Sequence, residues 1–401
     1  MKTGIYGGTF NPIHLGHMQA AAFAAKELGL EQLVLIPAGI PPHKAMAQDS
    51  PESCHRLAMT QLAAERVQLE TGIPVVVSDM EINREGKSFT SDTLTIWKEE
   101  HPDDELVLFM GTDMLTTFTE WHEPQTIAAL AQICSFARGA EDKAVLLAAK
   151  AVVESRYEGA QVTVLDLPEI VEISSSELRE SLAAGRGREY LDGAVYGYIL
   201  RMGLYGTCAD LKNLSFEDLR AVSMSFLKAK RVRHVMGTEE EAVRLARMYG
   251  VDETDARVAA LLHDCTKKLD MDEQLGLCEL YGLELDELEK VTLKLLHAKT
   301  GAAVARDLFG VKPEVYEAIL WHTTGKADMT PLQKVIYLAD YIEPNRKFPG
   351  VDALRETVYR DMDAGLMMGL SMTVEEMNGY GTPIHSKTME ALEYLKGTYH
   401  E

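Results

Sequence analysis

The sequence predicts a doubly wound α/β parallel sheet followed by an all-α domain. Three observations carry this expectation. Short apolar runs alternate with amphipathic stretches as far as about Tyr205, which is the rhythm of parallel strands covered by helices. Beyond it β-branched runs vanish and nearly every segment has apolar residues three and four apart, a helical period. The 401 residues exceed the length at which one hydrophobic core stops growing, so two domains are expected, at 1–205 and 214–401.

The elements follow in order. TGIYG opens the sheet, HMQAAAFAAKELGL gives the first covering helix, and QLVLIPAG gives the next strand. A helix is expected from Pro51, with Ser50 as its N-cap and proline at the first helical position. VVVSD, ELVLFMG, QICSFARG and VTVLDLP continue the sheet. Ser174 and Glu177 form a capping box before LRESLAAG, which Gly185 stops. In YGTCADLKN, residues 205 to 213, Gly206, Asp210 and Asn213 interrupt the periodicity and mark the seam between domains.

Forty Lys plus Arg against 62 Asp plus Glu leave a net charge of −22. Such a charge opposes a broad hold on nucleic acid or on an anionic membrane surface. Anionic substrates would then be met locally, by metal ions, a few basic side chains and helix N-termini. The five cysteines, Cys54, Cys134, Cys208, Cys265 and Cys278, form no CxxC pair. Their odd number argues against a disulfide framework or a structural zinc site and fits a reducing compartment. Met1 leads directly into a strand, and no apolar run reaches membrane-spanning length, so a cytoplasmic location is expected.

Two groups of residues carry chemistry. In GIYGGTFNPIHLGH, residues 4 to 17, Gly7, Gly8 and Thr9 follow a strand. A glycine turn lets backbone N–H groups approach phosphate oxygens, and the next helix adds its positive end. His14 and His17, three apart at a helix start, share one face and point toward the same anion. GGTFNPIHLGH resembles the signature of the HxGH nucleotidyltransferases. PPHK at 41–44, REGKSFTSDTL at 84–94, GTDML at 111–115, the Trp121-His122 pair and ISSSELR at 173–179 are similar, in order and spacing, to bacterial nicotinate-nucleotide adenylyltransferases.

That resemblance covers about the first 205 residues and implies transfer of AMP from ATP to nicotinic acid mononucleotide, giving deamido-NAD and pyrophosphate. The nucleophile is already an ionised phosphate, so positioning and charge neutralisation would supply the rate. It assigns His14 and His17 to the ATP phosphates, with His17 stabilising the leaving pyrophosphate. Gly7, Gly8, Thr9 and Phe10 would form the backbone cradle, Gly111 and Asp113 would meet adenosine, and Ser174, Ser175 and Arg179 a phosphate. Trp121 would stack on the nicotinate ring, the backbone at Thr90 would meet the ring carboxylate, and Lys44 would meet a phosphate. Mg²⁺ would bridge the phosphates of ATP. Thr9 and Asn11 stand where serine and aspartate are frequent, and both keep hydrogen-bonding groups. Nicotinamide mononucleotide or another phosphate acceptor is the alternative.

The second group comprises His234, the pair His263-Asp264, His297, His322 and Asp340. Most of them sit among apolar neighbours in helical stretches, a costly place for an imidazole or carboxylate without a partner. Any one alone reads as a satisfied core residue; six in order do not. The order H…HD…H…H…D resembles the HD-domain metal phosphohydrolases, and HTTGKADMTPLQKVIYLADYIEPNRKFPGVD at 322–352 is similar to the bacterial YqeK-like group. The resemblance implies symmetrical cleavage of diadenosine tetraphosphate to two ADP. His234, His263 and Asp340 would hold one metal, His297 and His322 another, with Asp264 bridging. Ligands of this kind suit iron, manganese or cobalt, which would activate water and neutralise developing charge. Lys267 and Arg346 are phosphate-contact candidates. Another nucleotide substrate, or a nucleotide-sensing regulatory role without metals, stays open at this point.

Overall fold

The computed structural model describes residues 1–42, 45–168, 171 and 173–398. The chain divides into two compact units, Met1–Cys208 and Ala209–Glu401.

The front unit is built on six parallel strands, β1 (Lys2–Gly8), β2 (Gln32–Pro37), β3 (Val75–Val77), β4 (Glu105–Met110), β5 (Ala131–Ala137) and β6 (Val162–Asp166). Their order across the sheet is β3-β2-β1-β4-β5-β6. The direction of winding therefore reverses between β1 and β4, and in such sheets the crevice beyond the carboxyl ends of those two strands is the natural ligand site. Eight helices, α1 (Leu15–Glu27), α2 (Ser53–Thr71), α3 (Thr90–Glu100), α4 (Thr112–Thr116), α5 (Pro124–Leu130), α6 (Ala140–Arg156), α7 (Ser175–Ala183) and α8 (Gly193–Met202), accompany the sheet.

The strands read as unbroken apolar runs because both faces are buried. Leu33, Leu35, Val107 and Phe109 enter one core with residues of α1, α2, α7 and α8. Ile5, Val34, Ile36, Leu106, Leu108 and Met110 enter a second core with Leu94, Phe118, Ile127 and Leu146.

Two helix starts differ from expectation. α1 begins at Leu15 with His14 as its N-cap. α2 begins at Ser53, and its N-cap is Glu52, not Ser50. The Ser50 hydroxyl instead accepts from Asn11 Nδ2 at 2.7 Å, so the residue serves the turn after β1. At α7 Ser174 is the N-cap and pairs reciprocally with Glu177.

The rear unit is helical: α9 (Phe216–Ser225), α10 (Ala229–Tyr249), α11 (Glu253–Leu262), α12 (Met271–Tyr281), α13 (Leu293–Phe309), α14 (Pro313–Trp321), α15 (Pro331–Ile342), α16 (Val351–Arg360), α17 (Met362–Gly379) and α18 (Ser386–Thr398). Ser215, Asp252, Asp270, Thr330 and Asp361 cap helix N-termini with their side chains, satisfying otherwise orphaned N–H groups. α10, α12 and α13 end at Gly250, Gly282 and Gly310 in the left-handed conformation that ends helices with least strain. Ala256, Ala259 and Ala260 of α11 are fully buried, and these small side chains let α10, α14 and α15 pack closely around it. Among the described residues no helix is long and apolar enough to cross a membrane.

Candidate active sites

In the front unit the chain leaves β1 through Gly7 and Gly8 and turns at Phe10, whose φ is +44°. The Phe10 side chain is buried, and its ring meets His17 edge-on at 5.4 Å. The rings of His14 and His17 lie 3.7 Å apart. The His14 backbone N–H donates to His17 Nδ1 at 3.3 Å, so a neutral His17 carries its proton on Nε2. Burial holds His14 down to about 4, and the positive Arg138 after β5 adds to the effect. Burial, then His14 and Arg138, hold His17 well below the usual imidazole range.

Gly16, between the two histidines, allows a close approach: a Cβ there would lie 2.7 Å from the Val171 carbonyl oxygen and 3.2 Å from the His14 ring. Val171 N–H donates to Gln19 of α1 at 2.9 Å. Arg179 of α7 reaches back to donate to the Asn11 carbonyl at 3.0 Å and to Asp49 at 3.3 Å. The same Asn11 accepts from the Tyr205 hydroxyl at 2.8 Å. The N-terminus of α7 is thus brought to the turn after β1. Ser174 is committed there, because its N–H and its hydroxyl both donate to Glu177, at 3.0 and 2.7 Å. Ser175 and Ser176 offer the helix-start groups of α7 instead.

Gly111 is the N-cap of α4 at the end of β4, beside β1, and Asp113, two residues on in the first turn, is exposed. Thr90 is the first residue of α3, where backbone N–H groups lack intrahelical partners. Just before it, the Ser88 hydroxyl accepts from the N–H groups of Gly39 and Ile40 at 3.1 and 3.3 Å, which brings the start of α3 to the end of β2. Trp121 is half-buried against Phe118, with ring centroids 5.7 Å apart. Lys44 lies outside the described residues.

Sequence reasoning passed over two features here. Arg56 of α2 is buried and donates to the Thr9 carbonyl at 2.8 Å. Phe89 and His122 face each other at 4.2 Å with planes 33° apart. Their position beside Thr90 and Trp121 was the signal available.

In the rear unit six side chains from five helices or their ends converge. Asp264 Oδ2 lies 3.9 and 3.5 Å from the Nε2 atoms of His234 and His263, while its Oδ1 lies 3.3 and 3.8 Å from those of His297 and His322. Asp340 Oδ1 lies 2.9 Å from His234 Nε2 and 3.9 Å from His263 Nε2. His263 and His322 donate Nδ1–H to the carbonyls of Ala260 and Ile319 at 2.6 and 2.7 Å, which leaves their Nε2 lone pairs facing inward.

These residues fit a divalent cation. The Nε2 atom of His263 is buried without a hydrogen-bond partner, and that of His234 faces the Asp340 carboxylate at 2.9 Å. Those of His297 and His322 approach to 3.0 Å. Lone pairs and carboxylate oxygens so close together call for a positive centre among them. Three overlapping groups of donor atoms have the spacing of metal ligands: His234, His263 and Asp264; His263, His322 and Asp340; and Asp264, His297 and His322.

Protonation agrees with that requirement at four of the ligands, Asp264, Asp340, His297 and His322, and departs from it at His234. Burial would raise Asp264 and Asp340, but neighbouring imidazoles and cations outweigh it and hold both carboxyls well below their usual range. Burial lowers His297 and His322. His234 is raised, because Asp340 and Glu343 outweigh its burial.

Lys267 Nζ lies 2.8 Å from His297 Nε2, and Arg346 donates to Asp340 Oδ1 at 2.8 Å. Arg231, which sequence reasoning passed over, pairs with Asp264. Its signal was its place one turn before His234. The Thr323 hydroxyl, also missed, sits 3.3 and 3.2 Å from the Nε2 atoms of His297 and His322.

Residues 5–181 match the cytidylyltransferase-like family and residues 231–345 the HD domain family. A protein of Thermomicrobium roseum described as a probable nicotinate-nucleotide adenylyltransferase is 36% identical over 51% of this chain and 92% of its own length. A symmetrical bis(5'-nucleosyl)-tetraphosphatase of Halalkalibacterium halodurans is 36% identical over 42% of this chain and 90% of its own. A crystal structure from Clostridium acetobutylicum, described as a predicted HD superfamily hydrolase involved in NAD metabolism, shares 38% identity over 46% of this chain and 98% of that one, with a TM-score of 0.45. The chain is therefore an enzyme that joins a member of the nicotinate-nucleotide adenylyltransferase family, in front, to an HD-domain member of the symmetrical bis(5'-nucleosyl)-tetraphosphatase family.

Proposed function

We propose that the front unit transfers AMP from ATP to nicotinic acid mononucleotide, and that the rear unit hydrolyses diadenosine tetraphosphate to two ADP. For the front unit one observation carries the reading: two imidazoles 3.7 Å apart cap a helix at the carboxyl edge of β1, beside β4. Held neutral, His17 presents Nε2–H to the bridging oxygen on which charge grows as pyrophosphate leaves. His14, the glycine turn and the start of α7 surround the other phosphate oxygens. Arg179 and Arg56 hold the turn in shape through the carbonyls of Asn11 and Thr9. Mg²⁺ enters with the phosphates of ATP. The acceptor lies between the start of α3 and Trp121, with its ring carboxylate on the Thr90 backbone.

For the rear unit the carrying observation is that the two oxygens of Asp264 face two different pairs of imidazoles. His234, His263, Asp340 and Asp264 would hold one divalent metal, His297, His322 and Asp264 a second, of the iron, manganese or cobalt class. Bound metal supplies an activated water and neutralises phosphate charge. Arg231, Lys267 and Arg346 ring the ligands and bring positive charge to the phosphates of the substrate.

A product assay on the wild-type chain, His17→Ala and Asp264→Ala tests both assignments. His17→Ala should lower deamido-NAD formation by at least 100-fold and leave ADP release intact, and Asp264→Ala the reverse. A wild-type chain that leaves diadenosine tetraphosphate intact with Fe²⁺, Mn²⁺ or Co²⁺ supplied would overturn the hydrolase reading. Equal rates on the nicotinate and nicotinamide mononucleotides would overturn the acceptor assignment.

A further inference from the structure

The four imidazoles of the rear centre are not supported alike. His263 and His322 rest on backbone carbonyls, while Lys267 Nζ stands nearer His297 Nε2, at 2.8 Å, than its Nδ1, at 3.4 Å. His234 Nδ1 instead lies 3.2 Å from Glu343 Oε1. Glu343 is 1% exposed, and the surrounding chain is shaped to keep it there. Its Oε2 accepts from the Asn345 N–H at 2.6 Å and from Asn345 Nδ2 at 2.9 Å. Asn345 Nδ2 is in turn fixed to the Arg233 carbonyl, at 3.0 Å. On α10, Gly237 makes room, since a Cβ there would fall 2.3 Å from Glu343 Oε2.

A carboxylate behind an imidazole fixes the ring, fixes its tautomer and raises the basicity of the far nitrogen. It also places a negative charge directly behind the ring, 3.2 Å from His234 Nδ1. We infer that the two metal positions are unequal, and that Glu343, acting through His234 as a positioning residue, makes the position at His234, His263 and Asp340 the tighter one, filled first. This rests on the metal-dependent reading above.

The bordering cations do not cancel the difference. Arg231 and Arg346 touch the carboxylates of the first position and Lys267 the second. Against them the first position has two carboxylates of its own, Asp340 and Glu343, while the second has only its share of Asp264. The first thus keeps one more negative charge, and one more ligand.

The test is titration of the full chain, stripped by chelation, with Mn²⁺, following free Mn²⁺ by electron paramagnetic resonance. Wild type should bind in two steps at least tenfold apart. Glu343→Gln keeps the shape and an acceptor while removing the charge. It should weaken the first step by about 10- to 100-fold and leave the second unchanged. Asn345→Ala, which removes the side-chain donor to Glu343 and keeps the backbone one without touching a ligand, should weaken the same step severalfold and keeps the test open should Glu343→Gln fail to fold. Two equivalent ions in wild type, or a first step equally tight in Glu343→Gln, would overturn the inference. A wild-type chain that binds no Mn²⁺ would overturn the metal-dependent reading itself.

Discussion

Replacing Gly16 with alanine tests how tightly the front site is built. The added methyl would stand 2.7 Å from the Val171 carbonyl oxygen, about 0.7 Å inside ordinary contact, and 3.2 Å from the His14 ring. The carbonyl is backbone, and the Val171 N–H is already committed to Gln19. Relief therefore requires the chain before α7 to move away from α1, carrying Ser175 and Arg179 with it, or the His14 ring to turn. Misplacement on the scale of an ångström costs about 100-fold in rate, or about 2.7 kcal/mol of transition-state stabilisation. Overpacking costs a further 1–3 kcal/mol or so of folding stability. The assay is pyrophosphate release from ATP and nicotinic acid mononucleotide, with hydrolysis by the rear unit of the same chain as internal control. kcat/KM should fall about 100-fold for transfer and remain unchanged for hydrolysis. Transfer at the wild-type rate would refute the claim that Gly16 sets the spacing of α1 and α7.

Two further outcomes follow from buried groups. Burial holds His14 at about 4 instead of the usual 6.5, so the folded chain binds its proton less readily than the unfolded one. That stability is fully present above pH 6.5 and is lost as pH falls from 6.5 toward 4, by roughly 2 kcal/mol between pH 7 and 5. Denaturant unfolding of the front unit should therefore depend less on pH in His14→Gln by about that amount, and equal dependence would contradict the burial of a neutral ring. Arg56→Met keeps the side chain's bulk but leaves the Thr9 carbonyl without its donor. It should cost about 1–3 kcal/mol of stability and raise KM for ATP more than it lowers kcat, and an unaltered KM would remove Arg56 from the support of the turn.

What the sequence reveals and what it conceals have physical causes. Strands such as QLVLIP and ELVLFM are legible because a parallel sheet buries both faces and leaves unbroken apolar runs. The rear ligands are legible because imidazoles and carboxylates on apolar helical faces must have a purpose. Arg56 is not, because on α2 it looks like any other arginine of an amphipathic helix, and its partner Thr9 is 47 residues away. The Phe89–His122 contact is hidden for the same reason. Ser50 misleads as a cap because its hydroxyl is claimed by Asn11, a long-range partner. Ser174 is the opposite case: its local partner Glu177 is plain in the sequence, but the capping box takes up donors that a phosphate would otherwise meet.

His263 and His322 occupy the residue that closes α11 and α14, and each leans on a carbonyl three positions earlier in its own chain segment. The aim of these two rings is accordingly written into short contiguous peptides and borrows no backbone acceptor from a distant part of the unit. Their rotational freedom is surrendered during folding, so little of it would be left to lose when these rings hold a ligand.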